Sequence, residues 1–312
     1  MEYSKLIKKI LSIYILLILF GSSVAAQQSH FAKSVDGTNI HYLTIGNGDP
    51  VLIINGGPGF SSEGFVPMAK EIASLGYQTI LYDQRGTGKS QMTTRDTSNI
   101  TMDLMNADIE AIREDLGYED WVVLGHSFGG IMANYYTAKH TRHVKGIIHS
   151  SSGGIDLALL QNAQRHLYAR LTAQEADSLN YYRQQFASTG NQAYRRKYVS
   201  YLAHAYVYHK EHVPVIVERL MQGDLALNAL VWRNLQSIGY DCKDELSGFN
   251  KPVFIIQGEQ DIVPKELAEI AHNVFANSTV VMLPESGHYG WLDQKDRYYG
   301  SIRSFLSKIY TK

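Results

Sequence analysis

The chain has 312 residues, a formal net charge of -1 and 45% hydrophobic residues, enough to build a sizeable packed interior. Near-balanced charge without a long basic run excludes an electrostatic track for nucleic acid. Cys242 is the single cysteine, so an intrachain disulfide is impossible and packing must hold the fold together.

At the amino end, Lys5, Lys8 and Lys9 precede an apolar run over 10–20 and then small residues over 21–26. A basic flank, a short apolar core and small residues before a cut predict a secretory signal over 1–26. Cleavage is expected after Ala26, with export to the periplasm or the exterior and no stable membrane anchoring afterwards. The run is shorter than the about 20 residues a bilayer span needs, so a retained anchor is the competing expectation.

Alternating residues over 40–45 predict an early antiparallel strand, and the continuous apolar run 50–55 predicts one buried on both faces. Further strands are expected over 77–83, 121–126, 144–150, 252–257 and 279–283. Helix-length stretches fall near 63–75, 101–116, 131–140, 264–275 and 294–310. This alternation predicts an α/β fold with a mostly parallel central sheet and helices on both faces. Between 155 and 248 the alternation stops, and Gln, Arg, Ala and Tyr replace the apolar runs. That stretch reads as a helical cap inserted into a core made of 27–154 and 249–312.

The chemistry concentrates where the strand predicted over 121–126 ends. There Gly125-His-Ser127-Phe-Gly129 joins a buried strand to a helix, the context that makes a Gly-x-Ser-x-Gly pattern a nucleophile elbow. Asp83-Gln-Arg-Gly-Thr-Gly-Lys-Ser90 nearly matches a phosphate loop, but Asp83 stands where the first glycine belongs and would repel a phosphate.

A serine hydroxyl needs an imidazole to take its proton and a carboxylate to orient that imidazole. Asp261 follows the strand predicted over 252–257, and His288 follows the strand over 279–283. Both are therefore placed at the edge where the elbow opens, in the order serine, acid, histidine. Glu259 and Asp156 are the alternative acids. His126 adjoins the serine with the opposite phase and is expected to pack or bond locally. His209 and His212 lack the spacing of a zinc-binding helix, so no metal site is expected. For the oxyanion, Phe128 begins a helix and offers a free amide, and Gly57 offers another from the glycine-rich loop 55–59.

Taken together, Asn55-Gly-Gly-Pro-Gly59, Asp83–Ser90, Gly125–Gly130, Gly258-Glu-Gln-Asp261 and Gly287-His288 resemble the α/β-hydrolase superfamily, and within it the prolyl aminopeptidase branch. The resemblance implies an α/β-hydrolase fold, Ser127, Asp261 and His288 as catalytic residues, backbone donors at Gly57 and Phe128, and no cofactor. It also implies cap carboxylates that hold a substrate's amino terminus. The glutamate of that branch is missing from Gly223-Asp-Leu-Ala-Leu-Asn228, leaving Asp224, Glu211 and Glu218 as candidate substitutes. The expected function is a secreted serine hydrolase acting on a small ester, amide or short peptide. A proline iminopeptidase-like aminopeptidase is the alternative, and a non-catalytic small-ligand binder the third reading.

Overall fold

The computed structural model describes residues 27–310, so the expected export segment lies outside the described residues. The described strands form one sheet in the order β1-β2-β4-β3-β5-β6-β7-β8. They are β1 (Gln27–Lys33), β2 (Asn39–Ile45), β3 (Pro50–Ile54), β4 (Gln78–Tyr82), β5 (Trp121–His126), β6 (Val144–Ser150), β7 (Val253–Gly258) and β8 (Ser278–Leu283). The first two pairings, β1 with β2 and β2 with β4, are antiparallel; every later one is parallel. Strand β1 was not expected. Its sequence, QQSHFAK, is mostly polar and exposed because it pairs only with β2 at the sheet edge.

The helices of the core are α1 (Val66–Ser74), α2 (Met102–Leu116) and α3 (Phe128–Lys139). Six more, α4 (Leu159–Ala169), α5 (Ala173–Thr189), α6 (Gln192–Tyr206), α7 (Val213–Met221), α8 (Leu225–Ser237) and α9 (Lys243–Ser247), lie between β6 and β7. The chain closes with α10 (Lys265–Val274), α11 (Gly290–Asp293) and α12 (Lys295–Ile309).

Successive residues of a strand face opposite sides, and each side has its own core. Leu52, Ile54 and Val123 face Ile109 and Ile112 of α2 and Ile131 and Met132 of α3. Val51, Ile53, Val122 and Leu124 face the opposite way, toward Met68 and Ile72 of α1 and Ile302 and Leu306 of α12. This two-sided burial explains the continuous apolar runs in the sequence.

Local chemistry sets the helix ends. The Thr101 hydroxyl accepts from the Leu104 amide at 3.2 Å to start α2, and Gly117 stops it in a left-handed conformation at φ 68°. In the cap, Thr172 and Glu175 form a reciprocal capping box at the start of α5. Val199 and Ala203 of α6, with Ile216 and Val217 of α7, join the buried cluster of the α1 and α12 face. That shared cluster packs the cap against the core.

Candidate active site

Strand β5 carries the chain into an abrupt turn. Ser127 holds φ 55° and ψ -121°, a strained conformation for a residue with a side chain, and α3 starts at once with Phe128. The flanking glycines are steric requirements. A Cβ on Gly125 would stand 2.2 Å from the Gly129 carbonyl oxygen, and one on Gly129 would stand 2.0 Å from that of Ile54. The Ser127 carbonyl accepts from the amides of Gly130 at 2.9 Å and Gly153 at 2.8 Å, which fixes the turn. Helix α3 thus begins three residues before the sequence-based start at 131, since Gly129 and Gly130 are poor helix formers by intrinsic preference.

The loop after β3 lies against this elbow. Gly57 has φ 73°, and a Cβ there would meet the Phe60 ring at 2.3 Å. Neither the Gly57 amide nor the Phe128 amide donates to any described residue, and both residues line the cavity that contains Ser127. Phe128 is free because the first residue of a helix has no acceptor behind it.

The loop is braced from below. The Asn55 side-chain amide donates to the carbonyls of Gly56 at 3.2 Å and Phe60 at 3.3 Å, and the Gln84 side chain donates to the Asn55 carbonyl at 3.0 Å. Asp83 accepts from the Ser62 amide at 2.8 Å, the Lys89 amide at 2.9 Å and His41 Nδ1 at 2.9 Å. The Asp83–Ser90 block therefore supports the loop that presents Gly57, a role that its likeness to a phosphate loop had hidden.

His288 and Asp261 come from the loops after β8 and β7. His288 Nδ1 lies 2.7 Å from Asp261 Oδ1, with both side chains almost wholly buried. The same oxygen accepts from the Val263 amide at 2.9 Å. Of the alternative acids, Glu259 is exposed and Asp156 pairs with Lys243 at 2.6 Å. Ser127 and His288 line one cavity, although no hydrogen bond joins the hydroxyl to the imidazole.

His126 packs its ring 4.6 Å from that of His288 and turns Nδ1 toward Ser150 Oγ at 3.3 Å, the local role expected of it. Burial, then the neighbouring His288, push its pKa well below the ordinary imidazole range, so it stays neutral beside the candidate base. No cluster suited to a metal ion occurs among the described residues.

Two further ties were invisible in the sequence. The His288 amide donates to the Tyr206 carbonyl at the end of α6, 2.8 Å away. Asp293 accepts from the amides of Gly287 at 2.8 Å, Tyr208 at 3.0 Å and His209 at 2.9 Å, which joins the histidine loop to the cap. These contacts span residues remote in sequence, and no local pattern announces them.

The cavity has a volume of about 380 Å³ and is walled by the elbow, the 56–60 loop, the histidine loop and cap helices. None of the three expected cap carboxylates reaches it, which corrects that assignment. Asp224 caps α8 through the Leu227 amide at 3.0 Å and pairs with Arg95; Glu218 pairs with Arg196 at the surface; Glu211 is exposed in the turn before α7. Asp224 was a helix-capping residue, a competing and common use of aspartate. The wall residues with a fixed charge among the described ones are instead Arg183 and Arg219.

Residues 49–294 match the family model described as the alpha/beta hydrolase fold. The chain belongs to that family. It is similar to a proline iminopeptidase of Saccharolobus solfataricus, at 25% identity over 96% of this chain and 98% of the relative. A second proline iminopeptidase, from Thermoplasma volcanium, is 25% identical over 83% of this chain and 88% of its own. Among solved structures, an esterase from Exiguobacterium antarcticum superposes with a TM-score of 0.70 at 20% identity, covering 90% of this chain and all (100%) of that one. The proline iminopeptidase of Mycobacterium smegmatis gives 0.69 at 18% identity over 90% and 98% of the two chains. These structures share the fold with this hydrolase.

Proposed function

We propose that the protein is an exported serine hydrolase that cleaves an ester or amide bond of a small substrate through an acyl-enzyme. The observation that carries this reading is the buried His288–Asp261 pair at 2.7 Å, opening on the same cavity as the strained Ser127 hydroxyl. Two undonated amides, Gly57 and Phe128, border that cavity.

In this reading Ser127 Oγ forms a bond to the substrate carbonyl carbon while His288 Nε2 takes its proton. Asp261 orients the imidazole and stabilises its charged form. The carbonyl oxygen gains negative charge, which the Gly57 and Phe128 amides stabilise. Collapse of the intermediate breaks the bond to the leaving group, which receives the proton from His288. Water then attacks the acyl-enzyme by the same route and releases the acid. Every step uses protein groups and water.

A proline iminopeptidase-like activity is the second reading, favoured by the names of the relatives and opposed by the missing carboxylates in the cavity. Export rests on the basic, apolar and small-residue pattern of 1–26. Sequencing the amino terminus of the protein recovered outside the cytoplasm should begin at Gln27; an intact Met1 there would overturn it.

A fluorophosphonate probe should label Ser127 in the folded protein and leave Ser127→Ala unlabelled. Turnover of short acyl esters should vanish in Ser127→Ala and fall about a thousandfold or more in His288→Ala. Folded protein that resists the probe would favour a non-catalytic binder, and native-like turnover in His288→Ala would remove His288 as the base.

A further inference from the structure

Arg219, on cap helix α7, is only 6% exposed and lines the cavity beside Ser127. A buried guanidinium ordinarily has a carboxylate partner, because removing an unpaired cation from water is strongly unfavourable. Arg219 forms no ion pair with any described residue. Its Nη2 donates to the Gly56 carbonyl at 3.1 Å and its Nη1 to that of Ser61, while its carbon face rests 4.7 Å from the Phe60 ring and 5.3 Å from that of Phe65. Carbonyl dipoles, ring faces and a side-chain hydrogen bond with Tyr289 hold the group in place without cancelling its charge. Burial pushes its pKa down, while Tyr289 and, beyond ion-pair range, Asp83 and Glu63 favour the charge. An arginine stays protonated despite such a shift.

Arg183 of α5 also contributes to the wall; its Nη2 donates to Asn180 Oδ1 at 3.1 Å, and it too has no carboxylate partner among the described residues. No aspartate or glutamate side chain lines the cavity. A substrate ammonium would therefore meet the buried Arg219 guanidinium, with the solvent-exposed Arg183 at the rim, and no carboxylate on the wall. A carboxylate beside the guanidinium would complete the electrostatics.

We propose that the cavity is built for an anionic substrate, an ester or amide bearing a free carboxylate, which Arg219 receives next to the 56–60 loop. The proposal rests on the hydrolase reading above and names its substrate class. Arg219 has a second duty in bracing that loop through Gly56 and Ser61, so the test must separate recognition from positioning.

Two matched esters serve, p-nitrophenyl butyrate and the p-nitrophenyl monoester of glutaric acid. The native enzyme should prefer the anionic ester at least tenfold in kcat/KM, chiefly through KM. In Arg219→Met and Arg219→Lys that preference should shrink toward unity. Equal losses on both esters would reduce Arg219 to a positioning residue and overturn the proposal, as would native preference for the neutral ester or for a proline arylamide. A binding measurement is independent of turnover. Glutarate should bind Ser127→Ala protein by calorimetry, and adding Arg219→Met should weaken it at least tenfold. Absence of glutarate binding overturns the anionic site, even where the fluorophosphonate probe labels Ser127. Binding without probe labelling leaves the anionic site standing and removes the hydrolase mechanism. Should Arg219→Met fail to fold, Arg219→Lys and the native ester preference still decide the matter.

Discussion

Replacing Asp293 by alanine tests whether the histidine loop depends on the cap. The carboxylate is buried and accepts from three backbone amides, Gly287, Tyr208 and His209, at 2.8 to 3.0 Å. Alanine leaves all three without a partner. The Gly287 donor is buried and the other two only partly so; at about 1–3 kcal/mol for the first and about 0.5–1.5 kcal/mol for each of the others, the cost is about 2–6 kcal/mol. A folded domain typically has about 5–15 kcal/mol in all, so the variant should fold with a clearly lowered urea midpoint and an unchanged slope. Asp293→Asn keeps one acceptor oxygen and should lose about half as much. Because Gly287 immediately precedes His288, activity should fall further than the folded fraction does, with kcat reduced at a temperature where the variant is fully folded. An alanine variant that loses less than about 1 kcal/mol, or retains full kcat, would refute the argument.

Gly129→Ala should destabilise the elbow by about 1–3 kcal/mol or more, since its Cβ would stand 2.0 Å from the Ile54 carbonyl; denaturant unfolding with native stability would contradict this. A pH effect is expected from His149, whose ring is buried, bonded to Asn134 at 2.8 Å, and pushed by burial down to about 4 from the ordinary 6.5. The unfolded chain binds the proton below 6.5 while the folded one refuses it until about 4. Its stability contribution is thus complete above pH 6.5 and about 3 kcal/mol is lost by pH 4. Urea titrations at several pH values should show a shallower loss in His149→Phe than in the native chain; parallel curves would count against it.

Much of this was legible because strand ends and turns have local signatures. The strands over 40–45, 50–55, 77–83, 121–126, 144–150, 252–257 and 279–283 lie where the apolar runs predicted them, within a residue or two. The sharp turn at Ser127 was visible since strand, glycines and helix are contiguous. Strand β1 was not, because its polar sequence carries no burial pattern. The cap acids failed for a different reason. Composition cannot tell an aspartate that faces a ligand from one that caps a helix, and Asp224 does the latter. Arg219, Asp293 and the Tyr206 carbonyl act across 158 residues, about 80 residues and about 80 residues of chain, respectively, so their roles emerge only on folding.

The cross-links between cap and core constrain how molecules enter and leave. Swinging the cap away would break Tyr206 from His288, Asp293 from Tyr208 and His209, and Arg219 from Gly56 and Ser61. At about 1 kcal/mol each, that is on the order of 5 kcal/mol, and the same movement would disturb the loops that hold His288 and Gly57. The roof is thereby tied to the same loops that carry His288 and Gly57, so loosening the cap is expected to cost activity before it costs folding.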